Sequence, residues 1–171
     1  YSGGANVIIG AEAAYLNHAQ QAVAIGLRAM YTQGSNGSIA IGAYSLYNNV
    51  HNGSSARQWN TAVGEYSLYN LGGVGIPQVN TAIGGYAGYG ITAGSYNVAI
   101  GSLSMGKGWS GIGTAGSSGI ANVGLGHAAL YYQNDSHGNI GLGYNAFFNS
   151  AFAPRKKSSK LSKTPSPFRV S

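Results

Sequence analysis

Cysteine is absent from the 171 residues, so disulfides, thiolate-bound zinc and cysteine nucleophiles are excluded together. Charge is scarce: Asp, Glu, Lys and Arg make up 7% of the chain, against about 25% in an ordinary soluble domain. The acidic residues are three, Glu12, Glu65 and Asp135. No apolar run approaches the ~18 residues of a membrane-crossing helix, so no membrane insertion is expected. No charged-then-apolar leader is present, and the first residue is Tyr1 rather than Met, as in a fragment or processed product. With 44% hydrophobic residues the chain is too apolar to be disordered as a whole. Glycine is abundant, 29 residues, but not at every third position, which excludes collagen.

The net charge of +6 belongs to one end. Six of the nine Lys and Arg residues, Arg155, Lys156, Lys157, Lys160, Lys163 and Arg169, follow residue 154. Residues 1–153 therefore read as the folded domain, and 154–171 as a basic, Ser/Pro/Lys-rich tail of disordered composition. Nucleic acid is not expected as a partner except through that tail.

What the body does contain is a repeat. A five-residue core ending in Gly recurs eight times, as in NVIIG (6–10), NTAVG (60–64), NTAIG (80–84) and NVAIG (97–101). The glycines are Gly10, Gly26, Gly42, Gly64, Gly84, Gly101, Gly126 and Gly143, spaced by 16, 16, 22, 20, 17, 25 and 17 residues. Three residues after each stands Ala or Ser. Five residues after stands an aromatic ring in seven of eight cases, Gly106 being the exception.

A short strand, a glycine corner and a second short strand would make one rung of a parallel β-solenoid. Rungs stack because none can bury its own apolar face. The expected fold is thus all-β, a β-roll of about eight short rungs. Strand side chains alternate with period two. The reading assigns the first and third residues of each core, such as Val98 and Ile100, to the interior. The middle residue, mostly Ala or Gly, would face outward as a close-packing contact between copies. The Asn that opens six of the eight cores suits a turn, bonding its own backbone. The aromatic column suits stacking between rungs.

The strings SIAIGAYSLYNN (38–49), NTAVGEYSLYN (60–70) and NTAIGGYAGYG (80–90) resemble the β-roll heads of trimeric autotransporter adhesins. They resemble still more closely the NTAIG arrays of phage tail fibres. The resemblance covers residues 6–149 and implies a homotrimeric extracellular fibre, on a virion or a cell surface, that attaches to a host glycan or protein.

Chemistry finds little footing. The three acids fall in different repeats, so paired carboxylates for hydrolysis are not expected within one chain, and no enzyme activity is assigned. His18, His51, His127 and His137 have no metal-ligand spacing, so no metal and no cofactor are assigned. Gly106, Gly108 and Gly111 match GxGxxG only formally, with no helix to follow. Recognition is better sought in the insertions at 48–59, 70–79 and 106–121, since insertions into repeats become loops. Candidate receptor contacts there are Trp59, Trp109, Lys107, Arg57 and His51. The function expected is a non-enzymatic structural and receptor-binding fibre segment; the alternative is a self-assembling extracellular filament or coat without a specific receptor.

Overall fold

A computed structural model describes residues 4–16, 20–32, 36–48, 58–72, 78–106, 119–132 and 137–147. It is a parallel β-solenoid. Eight three-residue strands lie in sequence order in one sheet: β1 (Val7–Ile9), β2 (Val23–Ile25), β3 (Ile39–Ile41), β4 (Thr61–Val63), β5 (Thr81–Ile83), β6 (Val98–Ile100), β7 (Val123–Leu125) and β8 (Ile140–Leu142). Every neighbouring pair is parallel and in register, so like residues of successive repeats sit one above another. The tail at 154–171 lies outside the described residues.

The corner glycine meets two demands at once. All eight have φ between +112° and +129°, where side chains are strained. In the first seven rungs an added Cβ would come within 2.5–2.8 Å of the next corner's backbone. After the corner the chain does not form the second strand expected. It runs in an arc whose second and fourth residues are left-handed in every rung, from Glu12 and Ala14 to Asn145 and Phe147. The residue before each core from the second onward is left-handed too, as at Gln21, Trp59, Val79 and Tyr96. Each such non-glycine residue costs about 1–2 kcal/mol. Hydrogen bonds between rungs offset that cost: Arg28 N–H donates to Ala11 O and Met30 N–H to Ser45 O, both at 2.9 Å. The arc is therefore a ladder without being a strand.

The interior reverses the predicted faces. The middle strand residues Ala24, Ala40, Ala62, Ala82 and Ala99 are fully buried, while Ile9, Ile41, Ile83 and Leu142 are exposed. Volume inside comes instead from the fourth residue after each corner: Met30, Leu46, Leu68, Met105 and Leu130 are all buried. Strand and arc are thus opposite walls of a narrow coil. A methyl from one wall meets a Leu or Met from the other, and an inward Ile would overfill it. Two rungs depart from this pattern. In the first, at the end of the sheet, the middle strand residue Ile8 is exposed and the arc residue Ala14 is buried. In the fifth, Gly88 supplies no side chain, and Ile91 and Leu68 reach the space a Cβ there would occupy.

Candidate functional site

Two walls present ordered surfaces. On the strand wall, the first and third residues of β1–β8 form two outward columns of Val, Ile and Leu, interrupted only by Thr61 and Thr81. No charged residue belongs to any of the eight strands. At about 4.8 Å per rung this is a flat apolar face roughly 35 Å long. It is the surface that the sequence reading assigned to the interior. The small-residue stripe assigned to contacts between copies is already covered by the chain's own arc.

Behind the strand wall runs a buried amide ladder. Asn80, Asn97 and Asn122 each donate backbone and side-chain N–H groups to the Oδ1 of the asparagine one rung earlier, at 2.9–3.2 Å. Asn139 continues it at 2.9 and 3.0 Å. The opening asparagines therefore bind rung to rung rather than shape their own turns. Asn97 Nδ2 also donates to Gly119 O at 2.8 Å. The ladder was readable from the identical position of Asn in successive repeats, given only that the rungs stack in register.

On the arc wall the predicted aromatic column is present and stacked. Tyr15, Tyr31, Tyr47, Tyr69 and Tyr89 follow at centroid distances of 5.5, 5.1, 5.1 and 5.3 Å. The sequence reading missed a second column two residues after the corner, where Tyr44, Tyr66 and Tyr86 stack at 5.0 Å. The columns touch each other in tilted pairs, Tyr44–Tyr47, Tyr66–Tyr69 and Tyr86–Tyr89, at 5.3–5.7 Å. Burial and the neighbouring phenols push the Tyr66 and Tyr69 hydroxyls above their ordinary range, so both stay protonated at neutral pH. Below the second column and beside the first, Arg28 pairs with Glu12 at 2.6 Å and lies 5.6 Å over the Tyr31 ring. That pair is exposed and of little worth to stability.

Of the predicted receptor contacts, only Trp59 is among the described residues; Trp109, Lys107, Arg57 and His51 lie outside them. Trp59 is 52% exposed on the rim that precedes β4. One edge of its indole is seated on Gly37, where a Cβ would approach Trp59 Cδ1 to 2.7 Å. It both covers the rung beneath and faces solvent. His127 stacks on Tyr144 at 5.3 Å, and His137 Nδ1 accepts the Ile120 N–H at 2.9 Å. Among the described residues no group of three His, Asp or Glu could hold a metal ion. No family model, curated protein or solved structure matches the chain.

Proposed function

We propose that this chain is a non-enzymatic segment of an extracellular fibre, a homotrimer that projects from a virion or cell surface and attaches to a glycan or protein of a host. The observation that carries the assembly part is the uncharged Val/Ile face of the strand wall. Contiguous apolar patches beyond a few hundred Å² mark interaction surfaces. Two columns over eight strands project on the order of 400 Å². At about 25 cal/mol/Å², covering that area is worth on the order of 10 kcal/mol per chain. Association itself costs an estimated 4–15 kcal/mol. The margin is narrow, so copies must cover the face along its whole length. The number three comes from the resemblance of the NTAIG repeats to fibre arrays. Attachment is supported by the exposed Trp59 beside the insertion at 48–59.

The test is the solution mass of the chain by light scattering, for the wild type and for Ile83→Asp. A mass of three chains that falls to one in the variant, with an unchanged circular dichroism spectrum, supports the fibre. A monomeric wild type would refute it. A mass that grows without limit as concentration rises would instead favour the open filament. Attachment to host surface material is then read with Trp59→Ala and Trp109→Ala, which should lose binding while keeping the trimer.

A further inference from the structure

The tyrosines of the arc wall form a surface separate from the face used for assembly. The arc's third and fourth residues point inward against the strand, as at Gly88, whose added Cβ would lie 3.3 Å from the Ala82 methyl. The second and fifth residues therefore face away on the opposite wall, which remains open when copies cover the strand wall. Stacking covers the ring faces, while Tyr44, Tyr47, Tyr66, Tyr69 and Tyr89 stay part-exposed. The hydroxyls of Tyr44, Tyr47, Tyr66, Tyr69 and Tyr89 make no hydrogen bond among the described residues. Each hydroxyl can donate and accept, and all are held at a fixed pitch by the rungs beneath. From the third to the fifth rung neither column holds an ionised side chain; Glu65, next to Tyr66, is the nearest.

We propose that this double column is a binding track for a neutral, extended polysaccharide of equatorially linked pyranoses, lying along the rod with one sugar per rung. The pitch of the rings, 5.0–5.5 Å, is close to the advance per sugar of such a chain. From the third to the fifth rung each sugar meets two phenols, one from each column, so its ring oxygens and hydroxyls find a donor and an acceptor at each of these steps. Single contacts of this kind are weak, but they repeat in register. Ring stacking holds the phenols in place before binding, so little side-chain entropy remains to be lost. A ligand without this period would satisfy one rung and miss the next. A charged polymer would gain nothing from a row of protonated phenols. The inference rests on the attachment reading only in taking a glycan as the partner; it places that glycan on the arc wall rather than on the insertion loops.

The experiment is affinity electrophoresis of the whole chain through gels containing soluble glucomannan, a neutral β-1,4-linked polymer, or dextran as a control without the extended period. Calorimetric titration with β-1,4-linked oligosaccharides of increasing length complements it. The wild type should be retarded by glucomannan and not by dextran. Affinity should climb with oligosaccharide length and level off once the three doubly lined rungs are spanned. The double variant Tyr66→Phe, Tyr69→Phe keeps the stacked rings and removes two hydroxyls. It should bind about tenfold more weakly while melting at the wild-type temperature below pH 10. Equal retardation by dextran, no retardation at all, or undiminished binding by the phenylalanine variant would each overturn the track. Binding lost in Trp59→Ala but kept in the phenylalanine variant would overturn the track and leave loop attachment standing. Binding by a monomeric wild type, lost in the phenylalanine variant, would overturn the trimer and leave the track.

Discussion

Replacing the corner glycine Gly64 by alanine should be among the most damaging single-methyl changes available to this chain. Its φ of +123° lies in a region that side chains occupy only under strain, at about 1–3 kcal/mol. The new Cβ would stand 2.6 Å from both the carbonyl carbon and oxygen of Gly84. Those atoms are backbone of the next rung and cannot turn aside as a side chain would. Overpacking of this kind adds about 1–3 kcal/mol, so the loss should total roughly 4 kcal/mol. Two other glycines separate the causes. At Gly143 φ is +112° but nothing lies within 4 Å of a Cβ, so Gly143→Ala should cost only the conformational part, about 1–3 kcal/mol. At Gly85 there is open space and no left-handed φ, so Gly85→Ala should change stability by less than about 0.5 kcal/mol. Urea unfolding followed by circular dichroism, with the m-value unchanged, measures all three. Equal losses at Gly64 and Gly143 would refute crowding between corners. A loss at Gly64 no larger than at Gly85 would refute the corner geometry altogether.

Asn97→Ala should cost about 2–5 kcal/mol, because it removes the oxygen that accepts the Asn122 backbone and side-chain N–H groups and the amide that donates to the Gly119 carbonyl in a buried ladder; the same urea titration checks it, and Asn139→Ala, at the half-buried end of the ladder, should cost less. Stability should also fall in alkali. Tyr66 and Tyr69 are raised above 10.0 in the folded state, so above that pH the folded chain keeps protons the unfolded chain has lost. Their contribution is therefore constant below pH 10 and declines as pH rises toward the folded-state values. Melting temperatures from about pH 9 to 12 should show this decline, and Tyr66→Phe with Tyr69→Phe should flatten it. Val79 holds a β-branched side chain at φ 55° on a part-exposed rim; Val79→Asn should raise stability by about 0.5–1 kcal/mol, read as a higher urea midpoint.

The rung architecture was legible because the repeat is carried by backbone demands. A glycine that returns at every corner says that a Cβ is excluded there, and the rung stack follows from that. The tyrosine column at the fifth position was legible for the same reason, as identical rings at identical offsets must stack when rungs are in register. The second column, Tyr44, Tyr66 and Tyr86, spans only three rungs and is replaced by Glu12 and Arg28 below and Leu103 above. Its pattern is short enough to be lost among thirteen tyrosines. The alternating left-handed arc left no compositional trace at all. Apart from Gly88 and Asn145, its left-handed positions hold Glu, Ala, Arg, Met, Tyr, Leu and Phe, none of which announces such a conformation, and hydrogen bonds between rungs sustain it. Of the loop contacts suggested for a receptor, the structure places one, Trp59.

The reversal of the two faces has a cause that the sequence also contained. Alternation says which strand residues share a side, but not which side is inward. Size alone points to large residues in and small ones out, as in a wide core. A coil whose walls are a three-residue strand and a short arc has no such width. The deciding column was the fourth after each glycine, Met30, Leu46, Leu68, Met105 and Leu130, which fills the space from the arc side. Once that column is inside, the strand can add only a methyl or a hydrogen. Gly124 and Gly141 show the limit, since a Cβ at Gly141 would come within 2.9 Å of Leu130 Cγ. Larger residues are then driven outward wherever the strand must still be β-branched to hold its extended form. The exposed Val/Ile face is thus a consequence of the narrow interior. A chain built from this repeat can lengthen only by adding rungs, and every added rung lengthens the apolar face in proportion.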